Sequence, residues 1–251
     1  MLAAEPESPN WLIPDVLLRG ALVVLGGEPG VGKSLLSYHI SMSLAVGAPV
    51  LGRFPTSRAR VLYFDEENGR QDFDAYMRWV WYGLGCPPVG PLQHNLRIEH
   101  FSLGDNQWMH TLRRIALDHK PDLFVIDTAT PACNIIDENS NAEATTAIKH
   151  LRHVQSECGA AALVIKHAKV DYQGTADQHH RTLRGAKAWA GACDGILFHV
   201  ASPGSPRKDG LRPSMIEPAK VRAFGLRAPL HIAPQWVGVE PKRGLLLNVA
   251  A

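Results

Sequence analysis

The chain has 251 residues, 45% of them hydrophobic, and a formal net charge of +2 at pH 7. This length fits a single large α/β domain, and the small net charge argues against a strongly basic surface for nucleic acids over the whole protein. Four scattered cysteines without C-x-x-C spacing argue against a disulfide framework and a zinc site. With no apolar run of about 18 residues and no signal peptide, we expect a soluble, cytoplasmic protein that does not contact a membrane.

Near the N-terminus, the composition changes from a polar, proline-rich segment to a segment with apolar runs. We expect residues 1–10 to form a flexible arm and residues 11–251 to form one domain.

Residues 21–46 predict a strand, a glycine-rich loop and a helix in succession. Residues 21–25 predict a buried strand and residues 35–46 a helix. Between them, residues 27–34 read GEPGVGKS and match G-x-x-x-x-G-K-[ST], the phosphate-binding P-loop. In this motif Lys33 faces the β- and γ-phosphates and the Ser34 hydroxyl binds Mg²⁺. The residues predicted to bind ATP are Gly27, Glu28, Pro29, Gly30, Val31, Gly32, Lys33, Ser34 and Leu35.

A second apolar strand is predicted over residues 60–64, and the acidic stretch DEEN follows it at residues 65–68. Carboxylates at the carboxyl end of a parallel strand lie where ligands bind, and one of them can act as general base toward water. The residues leave open the alternative that DEEN is the acidic first turn of a helix. That helix is predicted over residues 70–84, with its apolar residues as core contacts.

The middle of the chain predicts a short strand over residues 96–101 and an amphipathic helix over residues 105–119. Four apolar residues then precede Asp127, which is typical of a Walker B strand. A carboxylate at that position binds Mg²⁺, usually through water, because Mg²⁺ gives up its hydration shell reluctantly.

After a polar loop and a further helix, residues 161–165 predict another buried strand, which ends in Lys166 and His167. His167 either contacts the γ-phosphate or is a solvated histidine at a strand end. Residues 169–183 predict a mobile loop facing a partner. His179 and His180 within it lack further ligands at metal-binding spacing, so no metal site is predicted there.

The C-terminal part predicts strands over residues 194–201 and 214–221, and two or three short strands over residues 229–249. Together, the alternating strands and helices predict an α/β fold. Its sheet is expected to be mostly parallel and twisted, flanked by helices and extended by antiparallel strands at the C-terminal end.

With these motifs in this order, the chain resembles RecA-like P-loop ATPases. More narrowly, it resembles the branch of RepA-type hexameric replicative helicases of plasmids and their relatives, often called AAA_25, with KaiC-like proteins among the relatives. The resemblance spans residues 11–239 and rests on GEPGVGKS, VLYFDEEN, LFVIDT, DENSN, LVIKHAK, LRGAKA and KVR.

The resemblance implies a RecA-like fold with ATP and Mg²⁺ as ligands, and it assigns roles to individual residues. Glu67 matches the catalytic glutamate, with Glu66 as the neighbour that could be mistaken for it. Asp127 matches the Walker B aspartate, and His167 matches the γ-phosphate sensor. Relatives often carry two histidines where this chain has Lys166 and His167, a departure that concerns this sensor.

The resemblance also implies a homo-oligomer, expected to be a hexameric ring. Lys220 and Arg222 resemble a K-x-R pair that reaches the neighbouring subunit's site, where an arginine stabilises the transferring phosphoryl group. A solvated strand end is the alternative for this pair.

Single-stranded DNA is the expected partner, threading a channel lined by the loops at residues 134–141 and 170–181. The residues expected to contact DNA are Lys169, Arg181, Arg184 and Lys187.

The leading hypothesis is therefore ATP hydrolysis coupled to translocation on single-stranded DNA by a replicative helicase. The alternative is a nucleotide-gated regulatory or recombination-mediator ATPase, KaiC-like or RadA-like, without unwinding activity. A small-molecule kinase fits less well, because such an enzyme has no use for a water-activating glutamate at Glu67.

Overall fold

A computed structural model describes residues 8–86, 95–98, 101–136, 140–168, 183, 186–203, 207–222, 225–239 and 242–250. The helices within these residues are α1 (Lys33–Val46), α2 (Arg70–Gly83), α3 (Asn106–His119), α4 (Ala129–Ala132), α5 (Asn141–Cys158) and α6 (Ala186–Ala192). The strands are β1 (Trp11–Ile13), β2 (Leu17–Leu18), β3 (Leu22–Gly27), β4 (Val61–Asp65), β5 (Asn95–Ile98), β6 (Leu123–Asp127), β7 (Ala161–His167), β8 (Gly195–Ala201), β9 (Ser214–Val221), β10 (Leu230–Val237) and β11 (Gly244–Val249).

Nine of these strands form one sheet, in the order β11-β10-β9-β8-β3-β7-β6-β4-β5. The strands from β8 to β5 pair in parallel. The three strands β9, β10 and β11 extend the sheet with antiparallel pairs beyond β8. The predicted mostly parallel sheet with a C-terminal antiparallel extension is therefore confirmed, and the fold is that of a P-loop NTPase-like α/β protein.

The sheet is covered on both faces, which explains why its parallel strands are continuous apolar runs. Along β3, Val23 and Leu25 join the core that contains α1 and α2. Leu22 and Val24 point the other way, into the core that contains α3, α5 and α6. Because successive side chains of a strand alternate between faces, one run of β3 supplies both cores.

Helix boundaries follow from local chemistry in three places. Gly47 adopts the left-handed conformation with φ of 75° and ends α1. The Asp105 carboxylate accepts a hydrogen bond from Gln107 N at 2.8 Å and caps the start of α3. Ser140 caps α5 in the same way, through the backbone amide of Glu143.

The structure departs from the sequence predictions in short elements. The two-stranded sheet of β1 and β2 was not predicted, since strands of three and two residues carry too little periodicity. The four-residue helix α4 occupies a segment predicted as a polar loop. The C-terminal run, in contrast, forms two strands, β10 and β11, in agreement with the two or three that were predicted.

Of the predicted arm at residues 1–10, residues 1–7 lie outside the described part of the chain. The Asn10 carbonyl accepts a hydrogen bond from Arg19 N at 2.9 Å, so residue 10 is held against the start of the domain. No helix in the described ranges is long and apolar enough to cross a membrane.

Candidate active site

The loop between β3 and α1 has the backbone that a phosphate-binding loop requires. A Cβ atom on Gly27, which has φ of 157°, would lie 2.4 Å from the backbone oxygen of His199, so a side chain does not fit there. Gly32, with φ of 97°, precedes the first turn of α1. Lys33 begins that turn, and its ammonium donates to the Glu28 carbonyl at 2.8 Å. The Lys33 side chain therefore spans the loop from the helix start back to its beginning.

This loop forms one side of a cavity of about 290 Å³. Residues after β4 and at the end of β7 complete the cavity together with two aromatic side chains of α1 and α2. Its lining residues are Gly30, Gly32, Lys33, Ser34, Leu35, Tyr38, Glu67, Asn68, Tyr76 and His167. Of the other predicted ATP-binding residues, Glu28 and Pro29 are exposed, Val31 is half-buried and Gly27 is buried.

Lys33 is only 4% exposed. Burial lowers the pKa of its ammonium, and the carboxylates of Glu67, Asp127 and Glu28 oppose this effect. A buried cation among carboxylates is stabilised further by an anionic ligand, and a nucleotide phosphate would supply that charge.

Asp127, at the end of β6, is fully buried. The Tyr63 hydroxyl donates to its Oδ2 at 2.7 Å, whereas Oδ1 has no hydrogen-bond partner among the described residues. Burial raises the pKa of Asp127 to about 7, against the opposing effect of the Tyr63 and Ser34 side chains. An unpaired buried carboxylate oxygen is costly, and a hydrated cation would satisfy it. Asp127 and the Ser34 hydroxyl therefore fit Mg²⁺, which prefers oxygen ligands and keeps several waters.

Glu67 lies between the P-loop lysine and the end of β7. Its Oε1 is 3.6 Å from His167 Nε2, and its side chain is 39% exposed toward the cavity. The neighbouring His167, aided by Lys33, lowers the pKa of Glu67 although burial opposes this. The carboxylate is therefore ionised at neutral pH and available to accept a hydrogen bond from a water molecule.

Glu66, the neighbour that the sequence could not distinguish from Glu67, has a different environment. Its Oε1 accepts the backbone N–H of Phe101 at 2.7 Å, and it does not line the cavity. Its own backbone amide donates to the Asp127 carbonyl at 2.8 Å. Glu66 thus ties the β4 turn to neighbouring segments.

Asp65 shapes the turn that carries Glu67. Its Oδ1 accepts the backbone amides of Asn68 at 2.9 Å and Glu67 at 3.2 Å. Its Oδ2 accepts the Tyr38 hydroxyl at 3.3 Å and lies 3.7 Å from Arg97 Nε. Burial raises the pKa of Asp65, and the two backbone amides and Arg97 oppose that rise. Asp65 therefore positions Glu67 without facing the cavity itself.

The tyrosines Tyr38, Tyr63 and Tyr76 are absent from the predicted site, and the sequence does not separate Asp65 from the other carboxylates of DEEN. The sequence predicts Tyr63 only as part of the apolar strand over residues 60–64, and Tyr76 only as a core contact of the helix over residues 70–84. A signal was present, because Tyr63 and Asp65 share one face of β4 at the strand period of two. Tyr38 lies four residues after Ser34, which places both on one side of α1.

Lys220 and Arg222 have separate surroundings. The Lys220 ammonium donates to the carbonyls of Ala190 at 2.6 Å and Cys193 at 2.5 Å, at the C-terminal end of α6. A cation is favourable at the unpaired carbonyls of a helix end. Lys220 therefore binds within its own chain here, which differs from the expectation that it reaches a neighbouring subunit. The exposed Arg222 guanidinium makes no hydrogen bond or ion pair within the described residues.

The sheet register places Arg222 far from its own P-loop. Gly27 of β3 is paired with His199 of β8, whereas Val23 is paired with Gly195. Gly195 in turn is paired with Val221, the residue before Arg222. Arg222 therefore lies near the amino ends of the parallel strands, whereas the P-loop lies at their carboxyl ends. Since each strand residue adds about 3.3 Å, the two are about 15 Å apart or more.

Three of the four predicted DNA-contacting residues lie outside the described part of the chain. Lys169, Arg181 and Arg184 lie outside the described residues, as do residues 170–181 and 137–139 of the two predicted channel loops. Lys187 is described and is exposed on α6.

A comparison with protein-family models matches residues 1–173 to AAA_25, an AAA domain. The matched part contains the P-loop, the β4 turn, Asp127 and His167, and it ends before Lys187, Lys220 and Arg222. No curated protein matches the chain.

Proposed function

The chain belongs to the AAA_25 family, and from this premise we propose that it is a RecA-like, oligomeric motor that hydrolyses Mg-ATP and translocates on single-stranded DNA as a replicative helicase. The family and the fold identify an ATPase of the P-loop class with a nucleotide as ligand. The RecA-like assignment, the ring, the DNA and the unwinding are the parts that we add.

One observation carries the proposal of hydrolysis. Glu67 lines the same cavity as Lys33 and Ser34, and its carboxylate is ionised and directed toward that cavity. A phosphate-binding loop alone serves binding or transfer to any acceptor. A carboxylate beside it, tied into a separate turn by Asp65, favours water as the acceptor.

In the proposed reaction, a water oxygen attacks the γ-phosphorus, and the bond from that phosphorus to the β–γ bridging oxygen breaks. Glu67 accepts the proton of the attacking water, and Lys33 stabilises charge on the β- and γ-phosphate oxygens. Mg²⁺, when bound by Ser34 and Asp127, neutralises charge on the same phosphates. His167, which contacts Glu67, would couple the state of the γ-phosphate to the segment that follows β7.

The position of Arg222 supports the oligomeric part of the proposal. An exposed guanidinium at the sheet edge away from its own P-loop cannot serve that loop, but it is available to a second copy. In the proposed ring Arg222 enters the neighbouring site and stabilises the transferring phosphoryl group. We propose this role for Arg222 alone, since the Lys220 ammonium is engaged at α6.

The test is the ATP hydrolysis rate with and without single-stranded DNA, together with strand displacement on a forked duplex. We expect single-stranded DNA to raise the rate of ATP hydrolysis several-fold. In the second assay, we expect one strand of the forked duplex to be displaced in an ATP-dependent manner. A duplex of equal length is the control ligand, and Glu67→Gln is the control protein. Hydrolysis that ignores DNA, with no strand displacement, would contradict the helicase assignment.

The second candidate is a nucleotide-gated regulatory or recombination-mediator ATPase without unwinding, similar to KaiC or RadA. The net charge of +2 favours it, because a protein that follows a DNA backbone usually carries more basic surface. ATP-dependent assembly with hydrolysis that DNA does not stimulate would support this candidate.

A further inference from the structure

Tyr63 is a tyrosine in a place where phenylalanine would fill the same space. Its ring is fully buried in β4 and packs against Tyr38 at 5.2 Å and Phe73 at 5.5 Å between ring centroids. A hydroxyl in such an apolar setting is costly unless it is paired. This one is paired twice, with Ser37 Oγ at 2.6 Å and with Asp127 Oδ2 at 2.7 Å.

Ser37 extends these contacts to the first turn of α1. Its hydroxyl lies 2.8 Å from the Ser34 carbonyl and 2.6 Å from the Tyr63 hydroxyl, and its single proton can be donated to either of these two oxygens. A continuous set of short contacts therefore runs from the backbone of Ser34 through Ser37 and Tyr63 to Asp127. The two ends of this set, Ser34 and Asp127, are the residues that fit Mg²⁺. Ser34 lies on α1, which follows β3, and Asp127 ends β6; in the sheet, β7 lies between these two strands.

The two carboxylate oxygens of Asp127 are consequently unlike each other. The Tyr63 hydroxyl donates its proton to Oδ2. This bond is strongest in the ionised state of Asp127 that binds a cation, because the carboxylate is then a better acceptor than the Ser37 hydroxyl. Oδ1 has no hydrogen-bond partner in the described part of the chain although it is buried. Pairing one oxygen prevents free rotation of the carboxylate and leaves the other for a ligand.

We propose that Tyr63, supported by Ser37, is a positioning residue for the metal. Its hydroxyl holds Asp127 and Ser34 in a fixed relation and makes Oδ1 of Asp127 the oxygen available to hydrated Mg²⁺. This inference rests on the proposed function, since it assigns a role toward the metal of that same site. It predicts that the hydroxyl matters for the metal and not for the P-loop contacts to phosphate.

The test is the affinity for a non-hydrolysable ATP analogue, measured by calorimetry in excess Mg²⁺ and again in EDTA. We expect Tyr63→Phe to bind the analogue in EDTA as the parent does, while the gain in affinity on adding Mg²⁺ falls about tenfold. Ser37→Ala should reduce the same gain by a smaller factor, because it removes only the support of the phenol. Tyr82→Phe is the matched control, since the Tyr82 hydroxyl has no hydrogen bond within the described residues; it should change neither value.

An undiminished gain from Mg²⁺ in Tyr63→Phe would overturn the inference, and so would an equal loss of affinity in EDTA and in Mg²⁺, which marks a merely structural role. Should Tyr63→Phe fail to fold by circular dichroism, Ser37→Ala decides the question alone, and an unchanged gain in that variant overturns the inference. A parent protein that binds no analogue under either condition would instead contradict the proposed function.

Discussion

Asp65, Glu66 and Glu67 are consecutive acidic residues with three different sets of partners. Asp65 accepts backbone amides of its own turn, Glu66 accepts the amide of Phe101, and Glu67 lies beside His167 in the lining of the cavity. The same functional group thus holds a turn, joins two segments or lines the cavity, according to where the end of β4 directs it. Residue type alone does not separate these roles.

The first prediction compares the two adjacent glutamates. Glu67→Gln should bind Mg-ATP as the parent does and lose hydrolysis by about 10²-fold or more, because an amide cannot take the proton of the attacking water. Glu66→Gln is the matched control and should stay within about threefold of the parent, since its amide oxygen still accepts the Phe101 amide. Steady-state hydrolysis at saturating ATP checks both, and the reverse pattern would assign the base to Glu66.

The second prediction concerns a buried histidine away from the cavity. His39 is fully buried in α1, accepts the Leu51 amide at 2.9 Å, and has its pKa lowered by burial from 6.5 to about 4. Between these two values the unfolded chain binds more protons than the folded one, so the free energy of unfolding falls as the pH falls from 6.5 toward 4. At pH 4.5 this loss amounts to about 2–3 kcal/mol from His39.

Urea unfolding at pH 7 and pH 4.5 measures this loss. His39→Gln retains an acceptor for the Leu51 amide without titrating, so its stability should fall less than that of the parent over this range. The comparison isolates His39, because all other titrating groups are shared by the two proteins. An identical loss in both proteins would show that His39 is not responsible.

At the scale of elements, apolar runs predicted β3, β4, β6 and β7 well, because strands buried on both faces leave an unmistakable pattern in the sequence. The P-loop was equally predictable, since its backbone needs glycine at Gly27 and Gly32. The short elements β1, β2 and α4 were not, because their tertiary contacts and not their periodicity define them.

The buried polar contacts of the site could also not be predicted from the sequence. Ser37 and Tyr63 are ordinary residues of a helix and a strand until the packing of α1 against β4 brings their hydroxyls together. The capping role of Lys220 depends on where α6 ends, which no local pattern around the KVR motif reveals.

The third prediction addresses the turn after β4 as an element. Asp65→Ala should remove the acceptor of two backbone amides and the carboxylate beside Arg97, at a cost of about 3 kcal/mol in stability. Hydrolysis should fall by about tenfold or more at a temperature where the variant is folded, because Glu67 loses its fixed position.

Asp65→Asn keeps an amide oxygen for the backbone amides and should recover most of the hydrolysis. The exposed Asp118 on α3 gives the control variant Asp118→Ala, which should match the parent. Unfolding curves and hydrolysis rates are measured on the same preparations. Parent-like hydrolysis in Asp65→Ala would show that the turn holds Glu67 without it.

At the scale of the whole molecule, different side chains gather at the two ends of the parallel strands. The carboxyl ends of β3, β4, β6 and β7 bring the P-loop, Glu67, Asp127 and His167 together at one edge. The antiparallel strand β9 runs back toward the amino ends of these strands, and Arg222 follows its last residue there. The proposed site that combines Glu67 with Arg222 therefore needs a second copy of the chain.

The fourth prediction follows from this separation. Arg222→Ala should bind ATP normally and be inactive alone, as Glu67→Gln should be. Mixed and allowed to exchange subunits, the two variants should recover partial hydrolysis, because some interfaces then pair an intact Glu67 with an intact Arg222 of the neighbour. Hydrolysis measured against mixing ratio should peak at intermediate ratios. A zero rate at every ratio would place both residues in one site, and full activity of Arg222→Ala alone would leave its guanidinium without a role.

The central claim is that the P-loop cavity binds and hydrolyses Mg-ATP, and the most direct measurement is phosphate release by the parent, by Lys33→Ala and by Lys149→Ala. Lys149 is an exposed lysine of α5 and serves as the matched control. We predict Mg²⁺-dependent phosphate release by the parent and by Lys149→Ala, and none above background by Lys33→Ala, which lacks the cation facing the β- and γ-phosphates. Equal phosphate release by Lys33→Ala and the parent, or none by the parent with Mg²⁺, ATP and DNA all present, would contradict the account.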